Sequence, residues 1–206
     1  MKVSVSVLKE YDRLINTIKK VNESSADFLH IDVMDGVFVK NKKFPIEVVK
    51  DVKLITQKPI DLHLMVQDHE LIKKYMELLP EYVTFHIEVI KDDELIRYAK
   101  ELGIKVGLAI NPETDENKLI PYLDKLDLIL FMSVNPGLGG QKFKEEVIEK
   151  IRNIKKQTSK KIVINIDGGV NDKTIELCKY AGCDMVVSGS YITNSDNYEE
   201  KIERLR

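Results

Sequence analysis

The chain has 206 residues, 43% of them hydrophobic and 32% charged, with a formal net charge of −2. This length supports one substantial core and lies near the lower limit for a complete eight-unit barrel. The balanced charge, without a long basic run, argues against nucleic acid or an anionic membrane as a partner. We expect a cytoplasmic protein, because we find no secretory leader pattern, no apolar run near the roughly 18 residues of a membrane span and no paired-cysteine motif.

Short β-branched runs alternate with longer amphipathic stretches along the chain. The predicted strands are Val3–Leu8, Phe28–Val33, Ile60–Val66, Tyr82–Glu88, Lys105–Ile110, Leu128–Val134, Lys161–Asp167 and Met185–Ile192. The predicted helices are Tyr11–Asn22, Pro45–Thr56, His69–Leu79, Asp92–Glu101, Phe143–Thr158, Asn171–Tyr180 and Asn197–Leu205. The strands follow one another at about 20 to 30 residues, the spacing that parallel crossover units need. The pattern predicts a single domain, residues 1–206, built from eight βα units.

Two architectures fit this alternation, an open doubly wound sheet and a closed barrel. An open nucleotide-binding sheet carries a Gly-x-Gly-x-x-Gly turn after its first strand, whereas the segment after Leu8 reads Lys-Glu-Tyr-Asp. Polar residues end most of the predicted strands, and in a barrel those ends share the rim that carries the active site. We therefore predict an α/β fold, a single (β/α)8 TIM barrel.

Four side chains at predicted strand ends suit a metal ion. His30 and Asp32 lie near the end of the second strand, His63 near the end of the third, and Asp167 ends the seventh. Residues i and i+2 of a strand point the same way, so these side chains can meet above the barrel core. Two imidazoles and two carboxylates suit Zn²⁺, Fe²⁺, Mn²⁺ or Co²⁺ better than Mg²⁺, and the prediction is one divalent ion, with Zn²⁺ first.

Glycine clusters follow the sixth, seventh and eighth predicted strands. They lie in Asn135–Gln141, which is predicted to open a helix, in Asp167–Val170 and in Ser188–Ser190. Glycine lets backbone N–H groups approach an anion closely, and helix N-termini add favourable partial charge. Each cluster alone is a common turn, but a phosphate site after strands seven and eight recurs in this barrel. Together they predict a site for the phosphate of a small substrate.

Other rim residues have two interpretations each. Met34, Met65 and Met132 fall at or just after strand ends, where they fill the core or form an apolar lining over the reacting carbons of a sugar. His86 ends the fourth strand, where it faces the substrate as a ligand or caps the barrel mouth. The residues alone leave both pairs of alternatives open.

Seven segments in chain order carry a resemblance to a known family. They are His30–Gly36, Asp61–Val66, Thr84–Glu88, Gly107–Pro112, Met132–Phe143, Asp167–Val170 and Gly189–Ser190. They resemble those of ribulose-phosphate 3-epimerase, and the first, second and fifth are the most specific. The resemblance covers essentially the whole chain.

The resemblance implies an isomerase that interconverts D-ribulose 5-phosphate and D-xylulose 5-phosphate through a cis-enediolate, in the pentose phosphate pathway. It makes His30, Asp32, His63 and Asp167 the metal ligands, with Asp32 and Asp167 as acid and base on the two faces of the substrate. The implied substrate-binding residues are Ser6, His63, Gly137, Leu138, Gly139, Gly140, Asp167, Gly168, Gly169, Gly189 and Ser190. A homo-oligomer is also implied, because the family forms dimers and hexamers.

The chain departs from the family pattern at the barrel mouth. Val37 stands where the family usually has His, Lys40 precedes Asn41 in place of Pro, and the turn after Leu8 is one residue shorter than usual. These changes bear on substrate choice, so a sister enzyme acting on a ketose such as allulose 6-phosphate is the nearest alternative. A non-catalytic sugar-phosphate-binding barrel is a second alternative, although every proposed metal ligand is present.

Overall fold

In the computed structural model, which describes residues 1–159 and 161–206, eight parallel strands close into a barrel. The strands are β1 (Lys2–Ser6), β2 (Phe28–Asp35), β3 (Ile60–Met65), β4 (Tyr82–His86), β5 (Lys105–Ile110), β6 (Leu128–Met132), β7 (Val163–Asp167) and β8 (Met185–Ser188). Each strand pairs in parallel with the next, and β8 pairs with β1. A two-residue strand, Lys42–Lys43, runs antiparallel to the end of β2. The predicted (β/α)8 TIM barrel is confirmed.

Helices surround the strands. They are α1 (Leu14–Glu23), α2 (Ile46–Ile55), α3 (His69–Met76), α4 (Glu94–Glu101), α5 (Val147–Lys156), α6 (Ile175–Ala181), α7 (Ser190–Thr193) and α8 (Tyr198–Glu203), with 3₁₀ helices at Leu8–Arg13 and Glu116–Lys125. Within the described ranges, no helix combines the length and apolar character that a membrane span requires.

Three sequence predictions are wrong in detail. The eighth strand ends at Ser188, because the backbone turns at Gly189, whose carbonyl accepts from the N–H groups of Ile192 and Thr193 and so starts α7. A 3₁₀ helix that we did not predict, Glu116–Lys125, takes the helical position between β5 and β6. The glycine segment after β6 does not open a helix directly, since α5 begins only at Val147. The remaining strand ends lie within two residues of the predicted ones, as expected for boundaries.

The interior of the barrel is divided by polarity. Apolar side chains that point outward from the strands pack under the helices in one large core. Inward-pointing side chains from β1 to β4 are mostly polar and buried: Ser4, Ser6, His30, Asp32, Asp61, His63, Thr84 and His86. Those from β5, β6 and β8 are mostly apolar: Ala109, Leu128, Leu130, Met132, Met185 and Val187. Most polar groups of the interior therefore lie on the β1–β4 side of the barrel, where they can bond to one another, and β7 adds Asn165 and Asp167.

Position 107 on β5 has room for glycine alone, because a Cβ there would collide with neighbouring side chains. A Cβ on this residue would lie 2.7 Å from Thr84 Oγ1 and 2.9 Å from Leu128 Cδ2. We expect Gly107→Ala to lower the free energy of unfolding by about 1–3 kcal/mol, because overpacking outweighs the entropy that alanine saves in the unfolded chain. Urea denaturation measures this, and adding Thr84→Ala should recover part of the loss by removing the nearest contact. A Gly107→Ala protein as stable as the parent would contradict the prediction.

Candidate metal centre

The four side chains predicted as metal ligands meet at the carboxyl end of the barrel. Strand β2 supplies His30 and Asp32, β3 supplies His63 and β7 supplies Asp167, and the register places Asp32 beside His63. One ligand atom from each residue lies within 4.8 Å of all the others. Asp32 Oδ1 lies 3.2 Å from His30 Nε2 and 3.1 Å from His63 Nδ1. The nearest oxygen of Asp167 lies 4.0 and 3.9 Å from the same two nitrogens.

His30 is held in place by groups deeper in the barrel. Its Nδ1 lies 2.8 Å from Asp61 Oδ2, and the same oxygen accepts from Ser4 Oγ at 2.9 Å. His30 and Asp61 are both buried. A carboxylate can only accept, so His30 Nδ1 donates to Asp61. His30 Nε2 faces Asp32 and Asp167: it donates to Asp32 while the ring is protonated and offers a lone pair to an ion once that proton is lost.

A second chain of hydrogen bonds orients His63. Its Nε2 lies 2.9 Å from Nε2 of His86, and His86 Nδ1 lies 3.1 Å from Glu88 Oε2. The other Glu88 oxygen accepts from the backbone N–H of Asn111 at 2.9 Å. The ring of Phe38 packs on His86 at a centroid distance of 4.5 Å. His86 therefore lies behind His63, fully buried, and is not part of the group of four.

The ionisation of this second chain follows from burial and charge. Burial lowers the pKa of His86 to about 4, so its ring is neutral near pH 7. Burial alone would raise the pKa of Glu88, but the bonds from His86 and from the Asn111 N–H outweigh it and lower that pKa to about 2. An ionised Glu88 accepts the Nδ1 proton of His86, whose Nε2 then accepts from His63 Nε2–H. His63 Nδ1 faces Asp32 and Asp167, and with the ring proton on Nε2 it would offer its lone pair to an ion bound among these groups.

Within the centre, the pKa values of His30 and Asp167 are raised, whereas that of Asp32 is lowered. Burial would lower the pKa of His30, but the charges of Asp32 and Asp61 raise it well above the ordinary value. Burial would raise the pKa of Asp32, but the charges and hydrogen bonds of His30 and His63 lower it. Burial, together with the nearby Asp32 charge, raises the pKa of Asp167 to about 6. Without an ion, a proton on His30 supplies the positive charge that the carboxylates require.

A cavity of about 490 Å³ opens above the centre. Asp32 and Asp167 line it, while His30 and His63 lie beneath and are fully buried. The oxygen of Asp32 that does not face the histidines accepts from Ser6 Oγ at 2.8 Å. The two carboxylates therefore stand between the buried imidazoles and the cavity.

The other predicted site residues line the same cavity. These are Ser6, Met34, Met65, Met132, Gly137, Leu138, Gly139, Gly140, Gly168, Gly169, Gly189 and Ser190. The three methionines are at most 2% exposed, whereas Leu138 is 63% exposed and stands at the rim. The loops at the mouth contact each other, since Asn41 Nδ2 donates to the Gly137 carbonyl at 2.8 Å.

Three groups around the centre escaped the sequence analysis: Asp61, Ser4 and Glu88. Asp61 is two residues before His63 and Glu88 two residues after His86, so each shares an inward face with a predicted rim histidine. The spacing of two residues therefore indicates that Asp61 and Glu88 lie near the site. It does not indicate which side chain each one contacts, because that depends on the register between strands, which places Asp61 beside His30.

Comparison with known proteins gives a consistent match. Residues 2–193 match the model of the Ribulose-phosphate 3 epimerase family. The chain is 40% identical over 212 residues to a ribulose-phosphate 3-epimerase of Helicobacter pylori, covering 100% of this chain and 97% of the relative. It is 36% identical over 213 residues to the enzyme of the same name from Bacillus subtilis, covering 100% and 98%.

Solved structures of other enzymes share the fold. A 3-hexulose-6-phosphate synthase from Salmonella typhimurium superposes with a TM-score of 0.68 at 18% identity, covering 100% of this chain and 96% of that one. An orotidine 5'-phosphate decarboxylase from Pyrococcus horikoshii gives a TM-score of 0.70 at 15% identity, covering 98% and 96%. At such identities the likeness establishes the barrel alone.

Proposed function

The chain belongs to the ribulose-phosphate 3-epimerase family, and from that premise we propose that it interconverts D-ribulose 5-phosphate and D-xylulose 5-phosphate with one divalent metal ion. The observation that carries the proposal is the convergence of two imidazoles and two carboxylates at the floor of one cavity. Family membership makes the chain an epimerase; the metal, the substrate pair and the roles of residues below are our inference.

The donor set fits a divalent ion. Ligand atoms about 2.0–2.2 Å from a central ion lie roughly 3–4 Å from one another, and the distances from His30 and His63 to the two carboxylates, 3.1 to 4.0 Å, are in that range. Because the outer partners hold the other ring nitrogens as donors, His30 Nε2 and His63 Nδ1 would offer their lone pairs to an ion held between them and the two carboxylates. Zn²⁺ suits this mixed nitrogen and oxygen set best, and Fe²⁺, Mn²⁺ and Co²⁺ also suit it.

The ion's contribution would be that of a Lewis acid. A carbon acid next to a ketone loses its proton too slowly to a carboxylate alone near pH 7. A bound divalent cation stabilises the negative charge that develops on the substrate oxygens when the proton leaves.

The two carboxylates supply the proton transfers. Inversion at C3 requires removal of a proton from one face of the substrate and its return to the other face. Asp32 and Asp167 reach the cavity floor from β2 and β7, so two groups are available, one for each face. Ser6 fixes Asp32 through its hydrogen bond, and both carboxylates line the cavity in which the substrate would lie. Reversing the reaction exchanges the two roles.

The rest of the cavity holds and shields the substrate. We assign Met34, Met65 and Met132 to an apolar lining that keeps water from the enediolate, since all three are buried and line the cavity. The glycine segments Gly137–Gly140, Gly168–Gly169 and Gly189–Ser190 offer backbone N–H groups to the phosphate. His63 acts from beneath, as a metal ligand.

The direct test is an assay of the purified enzyme on both candidate sugars. In deuterated water, D-ribulose 5-phosphate should turn over and take up deuterium at C3. Allulose 6-phosphate should turn over much more slowly; a preference for the six-carbon sugar would assign the chain to the sister activity instead. Turnover of neither sugar, in protein shown by elemental analysis to hold a metal, would leave the non-catalytic binding barrel.

The proposed tautomer of His63 can be tested through Glu88. In Glu88→Gln the side-chain amide can donate to His86 Nδ1. This reverses the direction of the hydrogen bonds from residue 88 through His86 to His63, and it places a proton on His63 Nδ1. We expect metal affinity to fall roughly 10-fold to 100-fold, the usual cost of losing such an outer partner. Competition with a chelating dye measures this in the absence of turnover. Glu101→Gln, which changes an exposed residue at the end of α4, is the matched control. Equal metal affinity of Glu88→Gln and the parent would contradict the proposed hydrogen bonds from His63 through His86 to Glu88.

The remaining aspects of function are also proposals. We infer that residues 1–206 form a single domain that acts in the cytoplasm as a homo-oligomer, without nucleic acid or membrane partners. Exposed Ile15 on α1 and Leu54 and Ile55 on α2 support an oligomer, because they border one groove between these helices. The formal net charge of −2 supports the absence of a polyanionic partner.

A further inference from the structure

Lys9 lies at the end of the cavity that is lined by Gly139 and Gly140. It follows β1 within the 3₁₀ helix Leu8–Arg13. Its alkyl stem lies on Gly139: the point that a Cβ would occupy there is 3.1 Å from Lys9 Cε and 3.3 Å from Cγ. The corresponding point on Gly140 is 2.3 Å from Lys9 Nζ and 4.0 Å from Ser190 Oγ. The ammonium group and the Ser190 hydroxyl therefore flank the same glycine.

Among the residues that the structure describes, none pairs with the ammonium group of Lys9. Throughout residues 1–159 and 161–206, Lys9 forms neither a hydrogen bond nor an ion pair through its side chain. Many other lysines on the surface do, for example Lys73 with Glu94 and Lys125 with Asp93. Lys9 lines the cavity and is exposed, so its charge is available to a ligand that enters.

The charges along the cavity favour an anion near Lys9. Asp32 and Asp167 belong to the metal centre, and Asp172 lies 3.9 Å from Arg204. Lys173 is the other lysine that lines the cavity. A glycine loop presents partial positive charge through its N–H groups, and a neighbouring ammonium group adds a full charge with freely rotating donors.

We propose that Lys9 binds the phosphate of the substrate, donating from Nζ to a phosphate oxygen held at Gly139 and Gly140. This inference rests on the proposed function, because it concerns the phosphate end of the same substrate. Glycines at 139 and 140 then serve two purposes: they expose N–H groups, and they leave the space through which the lysine stem reaches the anion. A side chain at Gly140 would collide with Nζ.

The test is the kinetics of Lys9→Met and Lys9→Arg with D-ribulose 5-phosphate. A lost charge-assisted contact at a partly exposed site predicts a KM about 10-fold to 30-fold higher in Lys9→Met. We expect kcat to change less than about 3-fold, because Lys9 lies away from the groups that move protons. Lys9→Arg should restore most of the affinity. Lys19→Met removes the same charge from an exposed position on α1 and should match the parent.

Direct binding of inorganic phosphate separates this inference from the proposed function, because it needs only the anion site and no turnover. Weaker phosphate binding in Lys9→Met, measured by calorimetry, supports the lysine contact even if the parent turns over no sugar. An active parent with unchanged KM and phosphate affinity in Lys9→Met overturns the Lys9 inference and leaves the function intact. An equal loss of phosphate affinity in Lys173→Met would also overturn it. The effect of Lys9→Met would then reflect the general electrostatic potential of the cavity and not a specific contact.

Discussion

Asp32→Asn and Asp167→Asn should each lower the rate of epimerisation by about 1,000-fold or more. General acid–base catalysis contributes typically 10²–10⁴-fold, and each amide removes one of the two groups that we propose for proton transfer. Asn keeps the size and much of the hydrogen bonding of Asp, so the fold should survive. The measurement is turnover of D-ribulose 5-phosphate, with metal content checked in each variant because both residues are also proposed ligands.

Deuterium exchange distinguishes two bases from one. If Asp32 and Asp167 act on opposite faces, each variant keeps the base for one epimer and loses it for the other. Each should then exchange the C3 proton of a different sugar with solvent while forming little product. Asp51→Asn, on the exposed face of α2, should behave like the parent. If either active-site variant kept near-normal turnover, or both exchanged the same epimer, the two-base assignment would be wrong.

Removal of the metal should lower the rate of epimerisation to about 1% of its starting value or less. Oxyanion stabilisation of the size lost with a single donor already costs 10²–10³-fold, and a divalent charge contributes at least as much. Dialysis against a strong chelator, followed by elemental analysis and assay, measures the loss. Added Zn²⁺, Fe²⁺, Mn²⁺ or Co²⁺ should restore activity.

Two controls make the metal result interpretable. The circular dichroism spectrum should be the same before and after dialysis, because His30 can carry the compensating proton in the ion-free centre. Mg²⁺ should restore little activity, since it prefers oxygen ligands. Full activity in protein shown to be free of metal would eliminate the Lewis-acid role.

The sequence predicted the fold and the group of four well because both depend on alternation along strands. His30 and Asp32, two residues apart, must share a face, and strand order in a closed parallel barrel brings β2, β3 and β7 to one rim. The orientation of His63 could not be predicted in this way. It depends on which nitrogen meets His86, and that is decided by side-chain packing across β3 and β4.

The incorrect boundaries also have physical causes. The segment Ser190–Thr193 contains Tyr and Ile, which favour strands, yet Gly189 reverses the backbone and starts a helix instead. The 3₁₀ helix Glu116–Lys125 contains Pro121, which lacks an N–H donor and so interrupts a regular α-helical pattern. Lys9 was unremarkable in the sequence, because its contact with Gly139 and Gly140 joins two loops far apart in the chain.

The donor groups of the centre emerge from the ribosome at very different times. His30, Asp32 and His63 are available once β3 has been made, but Asp167 follows only after β7. A nascent chain that stops at β6 has three of the four donors and lacks β7 and β8, the two strands that close the barrel between β6 and β1. Tight capture of the proposed ion should therefore await the last quarter of synthesis, so that truncated chains would compete poorly with finished ones for the metal.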